Sequence, residues 1–288
     1  MTRVGYYPGC SLHATAAEYG LSTEAVCRSL GITLAEVPDW NCCGATPAHS
    51  TNEFLARALP LRNLILAEQK EGSLVVPCTG CFNVCRQTHA FVARGGEKAE
   101  EVNREVAAIV GHRYTGKLKI MHLMEFLGQP EITAEINDRI VRPLTGLKVV
   151  PYYGCLMHRP VEDVAFDDPE QPQQMDELMK LLGADVRPWS YKMDCCGGSM
   201  AIPQADMVAE MVTGLAAQAR RAGADAMVTA CPLCQANIET RQKTDGLPVF
   251  YITELIAASL GLTGQQRWLR KHLIDPVPLL RGLGLYKS

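Results

Sequence analysis

A pair of adjacent cysteines followed by glycine occurs twice in this chain, as Asn41-Cys42-Cys43-Gly44 and as Asp194-Cys195-Cys196-Gly197-Gly198. Each pair stands inside a wider pattern. In the first half Cys10 is followed after 31 residues by Cys42-Cys43, and after a further 34 by Cys78-Thr79-Gly80-Cys81. The second half reads Cys155, 39 residues, Cys195-Cys196, 34 residues, Cys231-Pro232-Leu233-Cys234. One rule applied twice places ten of the twelve cysteines. A repeat of roughly 130–150 residues is too long for a solenoid and indicates a duplicated domain with one five-cysteine site per copy.

Twelve cysteines among 288 residues are too sparse for a disulfide-rich scaffold, and 47% apolar residues suffice for an ordinary core. The N-terminus lacks a signal-peptide core and no apolar run approaches the roughly 18–20 residues of a membrane span. A cytoplasmic protein with no membrane span is therefore expected, in a compartment where patterned cysteines mean metal or redox chemistry. The net charge of −3, with Lys and Arg scattered, sets nucleic acid aside as a partner.

Strand and helix signals alternate throughout. Val4–Tyr7, Ile32–Val37, Leu74–Pro77 and Lys117–Met121 read as strands in the first half, and Val149–Tyr153, Asp185–Trp189, Ala226–Ala230 and Val249–Ile252 repeat the order in the second. Helices are expected over about 16–30, closed by Gly31, from a cap at Thr51 or Asn52 through Ile65, over 97–111, over 175–182 and from Met207 onward. Pro60 should kink or divide the second of these. The alternation argues two duplicated Rossmann-like α/β domains with parallel sheets: residues 1–138, a linker over 139–146, and residues 147–288 with a C-terminal tail. Every cysteine cluster then falls where a strand runs out into a loop, the ligand-binding edge of an open parallel sheet. Two such edges related by a pseudo-two-fold axis would bring both clusters to the domain interface.

Five thiols exceed the four that one tetrahedral zinc takes, and neighbouring cysteines tend to diverge. A multinuclear iron–sulfur cluster gives adjacent thiolates separate irons. Zinc remains the alternative at one site. The spacing is also unlike the closely packed ferredoxin run.

With two full copies of the pattern and Tyr7-Pro8-Gly9-Cys10-Ser11-Leu12, Tyr152-Tyr153-Gly154-Cys155 and Phe166-Asp167-Asp168-Pro169 around them, the whole chain resembles the B subunit of heterodisulfide reductase and its bacterial relatives, the CCG-domain proteins. The resemblance implies two noncubane 4Fe-4S clusters, the first on Cys10, Cys42, Cys43, Cys78 and Cys81, the second on Cys155, Cys195, Cys196, Cys231 and Cys234. It implies a thiol–disulfide oxidoreductase whose substrate, a small disulfide or thiol or a protein persulfide, binds between them. No flavin, nicotinamide or ferredoxin fingerprint is present. By the same resemblance, electrons would come from partners: a ferredoxin-like iron–sulfur subunit, together with a flavin-containing one. A CCG-domain electron-transfer subunit of a flavin-linked dehydrogenase is the alternative, and a zinc-binding assembly protein a more distant one.

The duplication also places His13 three residues after Cys10 and His158 three after Cys155. Both are candidate catalytic proton donors to a departing thiolate, or else residues that orient a cysteine. Arg159 and Lys192 are candidates for an anionic substrate group or, more simply, solvated charges. Cys27 and Cys85 have no counterpart in the repeat and stay outside the ligand sets.

Overall fold

The computed structural model describes residues 2–45, 47–242 and 246–287. Among the described residues eight strands form two four-stranded sheets. The first holds β1 (Thr2–Tyr6), β2 (Ile32–Glu36), β3 (Ser73–Val76) and β4 (Lys119–His122). The second holds β5 (Lys148–Tyr152), β6 (Asp185–Val186), β7 (Ala226–Thr229) and β8 (Val249–Tyr251). The strand orders are β2-β1-β3-β4 and β6-β5-β7-β8, the same order twice, and every pairing is parallel. Helices cover the strands, so these short segments are apolar runs rather than alternating ones: β7 is buried at all four positions and β5 at four of its five.

This order has a consequence for the cysteines. The chain leaves β1 and β3 in opposite directions along the sheet, which opens a crevice between their C-terminal ends. Cys10 follows β1 and Cys78 follows β3; Cys155 follows β5 and Cys231 follows β7. Both Cys-Cys-Gly loops follow the edge strand, β2 or β6, next to that crevice.

The predicted helices form over Ala17–Ser29, Glu53–Glu68, Glu97–Val110, Gln174–Leu181 and Ala205–Arg221. Gly31 takes the left-handed φ of +71° that ends the first, and Asn52 caps the second by accepting from Leu55 N at 2.9 Å. Pro60 does not divide that helix, although an interior proline costs roughly 3 kcal/mol. It lies in the most buried stretch, with Ala56, Leu61, Leu64 and Ile65 packed into the core, and the preceding carbonyl, Leu59 O, accepts from Asn41 Nδ2 at 3.2 Å. Burial holds the helix together across the missing N–H. The strand expected over 185–189 shortens to two residues, because Pro188 has no N–H to give to a ladder.

The larger buried core runs through both sheets without a break, from Val4, Tyr7 and Leu61 to Tyr153, Tyr251 and Ile256. Within it Tyr19, from the Ala17–Ser29 helix, stacks on Tyr251 at the end of β8, with ring centres 4.3 Å apart and planes within 4°. Such a pair adds about 0.5–1.5 kcal/mol beyond the area it buries. A smaller core, with Val150, Tyr152, Val208, Val212 and Ile238, lies under the second sheet.

Candidate functional site

All twelve cysteines are free thiols, and the fold gathers ten of them into two groups of five. In the first, Cys10 Sγ lies 3.9 Å from Cys42 Sγ and Cys43 Sγ lies 3.1 Å from Cys81 Sγ, with Cys78 hydrogen-bonded to Cys81. In the second, Cys196 Sγ lies 3.5 Å from Cys234 Sγ, Cys155 pairs with Cys195, and Cys231 pairs with Cys234. Each group has a buried floor, Cys43, Cys78 and Cys81 or Cys196, Cys231 and Cys234, and a more open rim, Cys10 and Cys42 or Cys155 and Cys195.

The turns that present these thiols are built alike. Tyr7 Oη donates to Asn41 O at 2.8 Å, and Tyr152 Oη donates to Asp194 O at 2.6 Å. Each tyrosine, three residues before the first cysteine of its repeat, pins the carbonyl just ahead of its own Cys-Cys pair. Asn63 reinforces the first pin, accepting from Asn41 N and donating to Asn41 O. Asn237 Nδ2 holds Cys196 O at 2.6 Å in the second. Gly9 and Gly154 share a φ of +70°, and a Cβ there would come to 2.8 Å from Cys81 Sγ or 3.1 Å from Cys234 Sγ. Glycine is needed in both turns for the sulfurs to approach.

Hydrogen bonding divides the thiols by acidity. Cys43 is pulled down to about 4 by hydrogen bonds from Cys42 and Cys81. Cys195 falls to about 6, chiefly through Cys155 and also through the Gly197 N–H, while Cys231 falls to about 7 through Cys234 in spite of its burial. Their partners Cys42, Cys81, Cys155 and Cys234 are pushed up in return. Gly197 N and Gly198 N reach Cys195 Sγ and Cys196 Sγ at 3.3 and 3.4 Å, and Cys234 N reaches Cys231 Sγ at 3.4 Å. Cys78 and Cys231 stand at the N-cap positions of the helices Thr79–Arg94 and Pro232–Arg241, and Cys231 Sγ caps its helix by accepting from Cys234 N. Soft, partly ionised sulfurs converging from loops that only glycine permits fit an iron–sulfur cluster in each group. Among the described residues no three His, Cys, Asp or Glu side chains are posed around a single metal ion.

A cavity of about 280 Å³ touches only one group. All five cysteines of the second group line it, along with Tyr153, Gly154 and Leu156 and, from the Thr79–Arg94 helix of the other repeat, Thr79, Gly80, Asn83, Val84 and Gln87. None of the five cysteines of the first group is among the lining residues. Asn83 Nδ2 ties the repeats together here, donating to Leu156 O at 2.7 Å and Arg159 O at 2.6 Å, while its Oδ1 accepts from Gln87 Nε2.

The two histidines are placed differently. His13 is exposed, 3.5 Å from Glu36 and edge-on to Trp40. His158 is fully buried between Tyr153 and Phe166, neither ring nitrogen has a hydrogen-bond partner among the described residues, and burial lowers its pKa so that it stays neutral. Neither lines the cavity. Lys192 is not a free anion-binding charge: its Nζ is 2.6 Å from Asp176 Oδ1, and both side chains are largely buried. Arg159 is half-exposed and paired with Glu170. Cys27 is buried in the core with its thiol pushed up to about 12, and Cys85 is fully buried one helical turn beyond Cys81. Sequence reasoning missed the paired tyrosines, Asn63, Asn83 and Thr79, although the matching offset of Tyr7 and Tyr152 from Cys10 and Cys155 is a signal that marks the tyrosines.

A family model described as a cysteine-rich domain, CCG, matches residues 4–86 and again 149–239. The chain is 30% identical to the 8-methylmenaquinol:fumarate reductase membrane anchor subunit of Wolinella succinogenes, over 95% of this chain and 98% of that protein. It is 27% identical to the B subunit of the ferredoxin:CoB-CoM heterodisulfide reductase of Methanosarcina mazei, over 97% of this chain and 96% of that one. Among solved structures, a hypothetical protein from Helicobacter pylori shares the fold with a TM-score of 0.75 at 12% identity, over 95% of this chain and 52% of that chain. No helix among the described residues is long and apolar enough to cross a membrane.

Proposed function

The chain belongs to the cysteine-rich CCG-domain family, as a component of the heterodisulfide reductase type or a related one, and we propose that it is the thiol–disulfide catalytic subunit of such a complex. In this reading Cys10, Cys42, Cys43, Cys78 and Cys81 hold one noncubane 4Fe-4S cluster, and Cys155, Cys195, Cys196, Cys231 and Cys234 hold a second. The observation that carries it is the cavity: all five cysteines of the second group line one partly open space whose wall is completed by the other repeat. A bound cluster supplies electrons one at a time and a soft metal for a sulfur ligand.

The chain's own residues set the conditions. The N–H groups of Gly197, Gly198 and Cys234 offset negative charge on the second-group sulfurs. Val84, Leu156 and Leu233 give the cavity an apolar wall, and Asn83 ties the two repeats together across it. Cleaving a disulfide consumes two electrons and two protons and yields two thiols; the reverse reaction releases them. His158, held neutral in the core, does not reach the cavity, and His13 remains a surface group beside the first site. Partners in this reading are a ferredoxin-like iron–sulfur subunit, together with a flavin-containing one, and the substrate is a small disulfide or thiol or a protein persulfide, in the cytoplasm.

One observation favours a second reading, in which the chain carries electrons within a flavin-linked dehydrogenase: the relative from Wolinella succinogenes, matched over nearly its whole length, is a subunit of a quinol:fumarate reductase. Iron, acid-labile sulfide and zinc counted on protein purified without oxygen test both. About eight irons per chain, the content of two four-iron clusters, with a paramagnetic signal that changes on adding thiol, is the expected result. A full iron count with no response to any thiol but reoxidation by a quinone would favour the second reading. Zinc without iron would overturn both.

A further inference from the structure

Thr79 and Pro232 occupy the same place in the two Cys-x-x-Cys turns, yet only threonine carries a hydroxyl, and that hydroxyl crosses between the repeats. Thr79 is buried at the first turn of its helix, and its Oγ1 lies 3.3 Å from Ala230 O, the carbonyl directly ahead of Cys231. The same Oγ1 is 3.2 Å from His122 Nε2.

The protons on His122 fix the direction of these bonds. His122 is fully buried at the end of β4, and its Nδ1 accepts from Met124 N at 3.1 Å, so Nδ1 carries no proton. Burial holds the ring neutral, with its pKa lowered to about 3. The ring's single proton therefore sits on Nε2, which faces Thr79 Oγ1 and the backbone carbonyls of Pro77 and Ala230. His122 Nε2, which carries a proton, cannot accept, so the threonine's one proton goes to Ala230 O in the second repeat.

We propose that Thr79, oriented by His122, is a positioning residue that the first repeat contributes to the second cysteine group, donating a hydrogen bond to the Cys231 turn. This rests on the reading that the second group holds a cluster. Hydrogen-bond donors set around a cluster stabilise its more negative, reduced state and raise the reduction potential, and the Thr79 hydroxyl is aimed at the carbonyl directly ahead of Cys231. Pro232 offers the first group no such donor. The two sites, alike in their cysteines, are thereby made unequal, and the site that lines the cavity is the one favoured to hold the electron.

The test is a redox titration of the anaerobically purified full chain, followed by electron paramagnetic resonance, for the native protein and for Thr79→Val. The expected result is a shift of the second cluster's reduction equilibrium toward the oxidised form by on the order of tenfold, or about 59 mV for a one-electron couple. The first cluster should not move, and Thr79→Ser should restore the native value. Should the valine variant fail to fold, Thr79→Ala removes the same hydroxyl without adding bulk and is read the same way. A fully loaded variant with the second potential unmoved, or with both potentials moved equally, overturns the inference and leaves the proposed function standing. Native protein without iron would take down both.

Discussion

Leu233 fills the space that Gly80 leaves: the two residues hold the same position in their respective Cys-x-x-Cys turns, and a Cβ added at Gly80 would lie 3.3 Å from Leu233 Cδ1. The repeats therefore meet at their cysteine turns through a large residue facing none. Gly80→Leu should overpack this contact and destabilise the chain by roughly 1–3 kcal/mol. Adding Leu233→Ala in the same chain should recover most of that loss. Urea denaturation of both single variants and the double variant measures the coupling, and strict additivity would mean that the two positions do not meet.

The paired tyrosines give a second test. Tyr7→Phe and Tyr152→Phe each remove one hydroxyl and leave a loop carbonyl without that donor, at a cost of about 1–3 kcal/mol. Asn63 still holds Asn41 O in the first repeat, whereas Asp194 O loses Tyr152. Tyr152→Phe should consequently be the more damaging substitution, and iron should be lost from the second site first on dilution into chelator. Equal losses would show that Asn63 does not share the load.

His158 separates a structural from a chemical role. A buried imidazole with neither nitrogen paired costs stability, so His158→Leu, close to it in volume, should leave the melting temperature unchanged or raise it. Turnover with thiol should be unchanged, because His158 does not line the cavity; a fall of about 10²–10⁴ would show that it takes the substrate proton. A variant as active as the native protein would confine His158 to packing.

His272 predicts a pH dependence of folding. Its Nδ1 is 2.8 Å from Glu239 Oε1 and its Nε2 2.9 Å from Glu254 Oε1, so both nitrogens must carry protons, and the carboxylates hold its pKa well above the ordinary value despite burial. An unfolded-chain histidine loses its proton near pH 6.5. The stabilisation is accordingly complete below about pH 6.5 and fades as pH rises toward the folded-state pKa. His272→Gln should cost about 3–5 kcal/mol near pH 6, and its gap from the native protein should narrow toward pH 9. A gap that does not change with pH would mean that the histidine is neutral in the fold.

The sequence was most legible where one signal dominated. Cysteine spacing alone singled out both groups of five, and the strand–helix alternation carried the parallel α/β reading, because buried parallel strands and their crossovers leave contiguous apolar runs. Propensity failed at Pro60, where burial of the surrounding helix outweighs the missing N–H. Symmetry failed at the histidines: equal spacing from Cys10 and Cys155 put His13 at the surface and His158 in the core, since the loops after those cysteines diverge into an α-helix at Gly9–His13 and a single 3₁₀ turn at Cys155–Met157. Lys192 looked free and is taken by Asp176, sixteen residues back. Thr79 was invisible for a different reason. Its partners His122 and Ala230 lie 43 and 151 residues away, and no local pattern records a hydrogen bond between repeats.

Whether substrate chemistry takes place at the second cysteine group is decided by electron paramagnetic resonance of anaerobic protein before and after adding thiol under oxidising conditions, comparing Cys42→Ser with Cys195→Ser. Cys42→Ser, disturbed at the group away from the cavity, should keep the thiol-dependent signal, while Cys195→Ser should lose it. A thiol response that disappears with Cys42→Ser and persists with Cys195→Ser would place the chemistry at the first group instead.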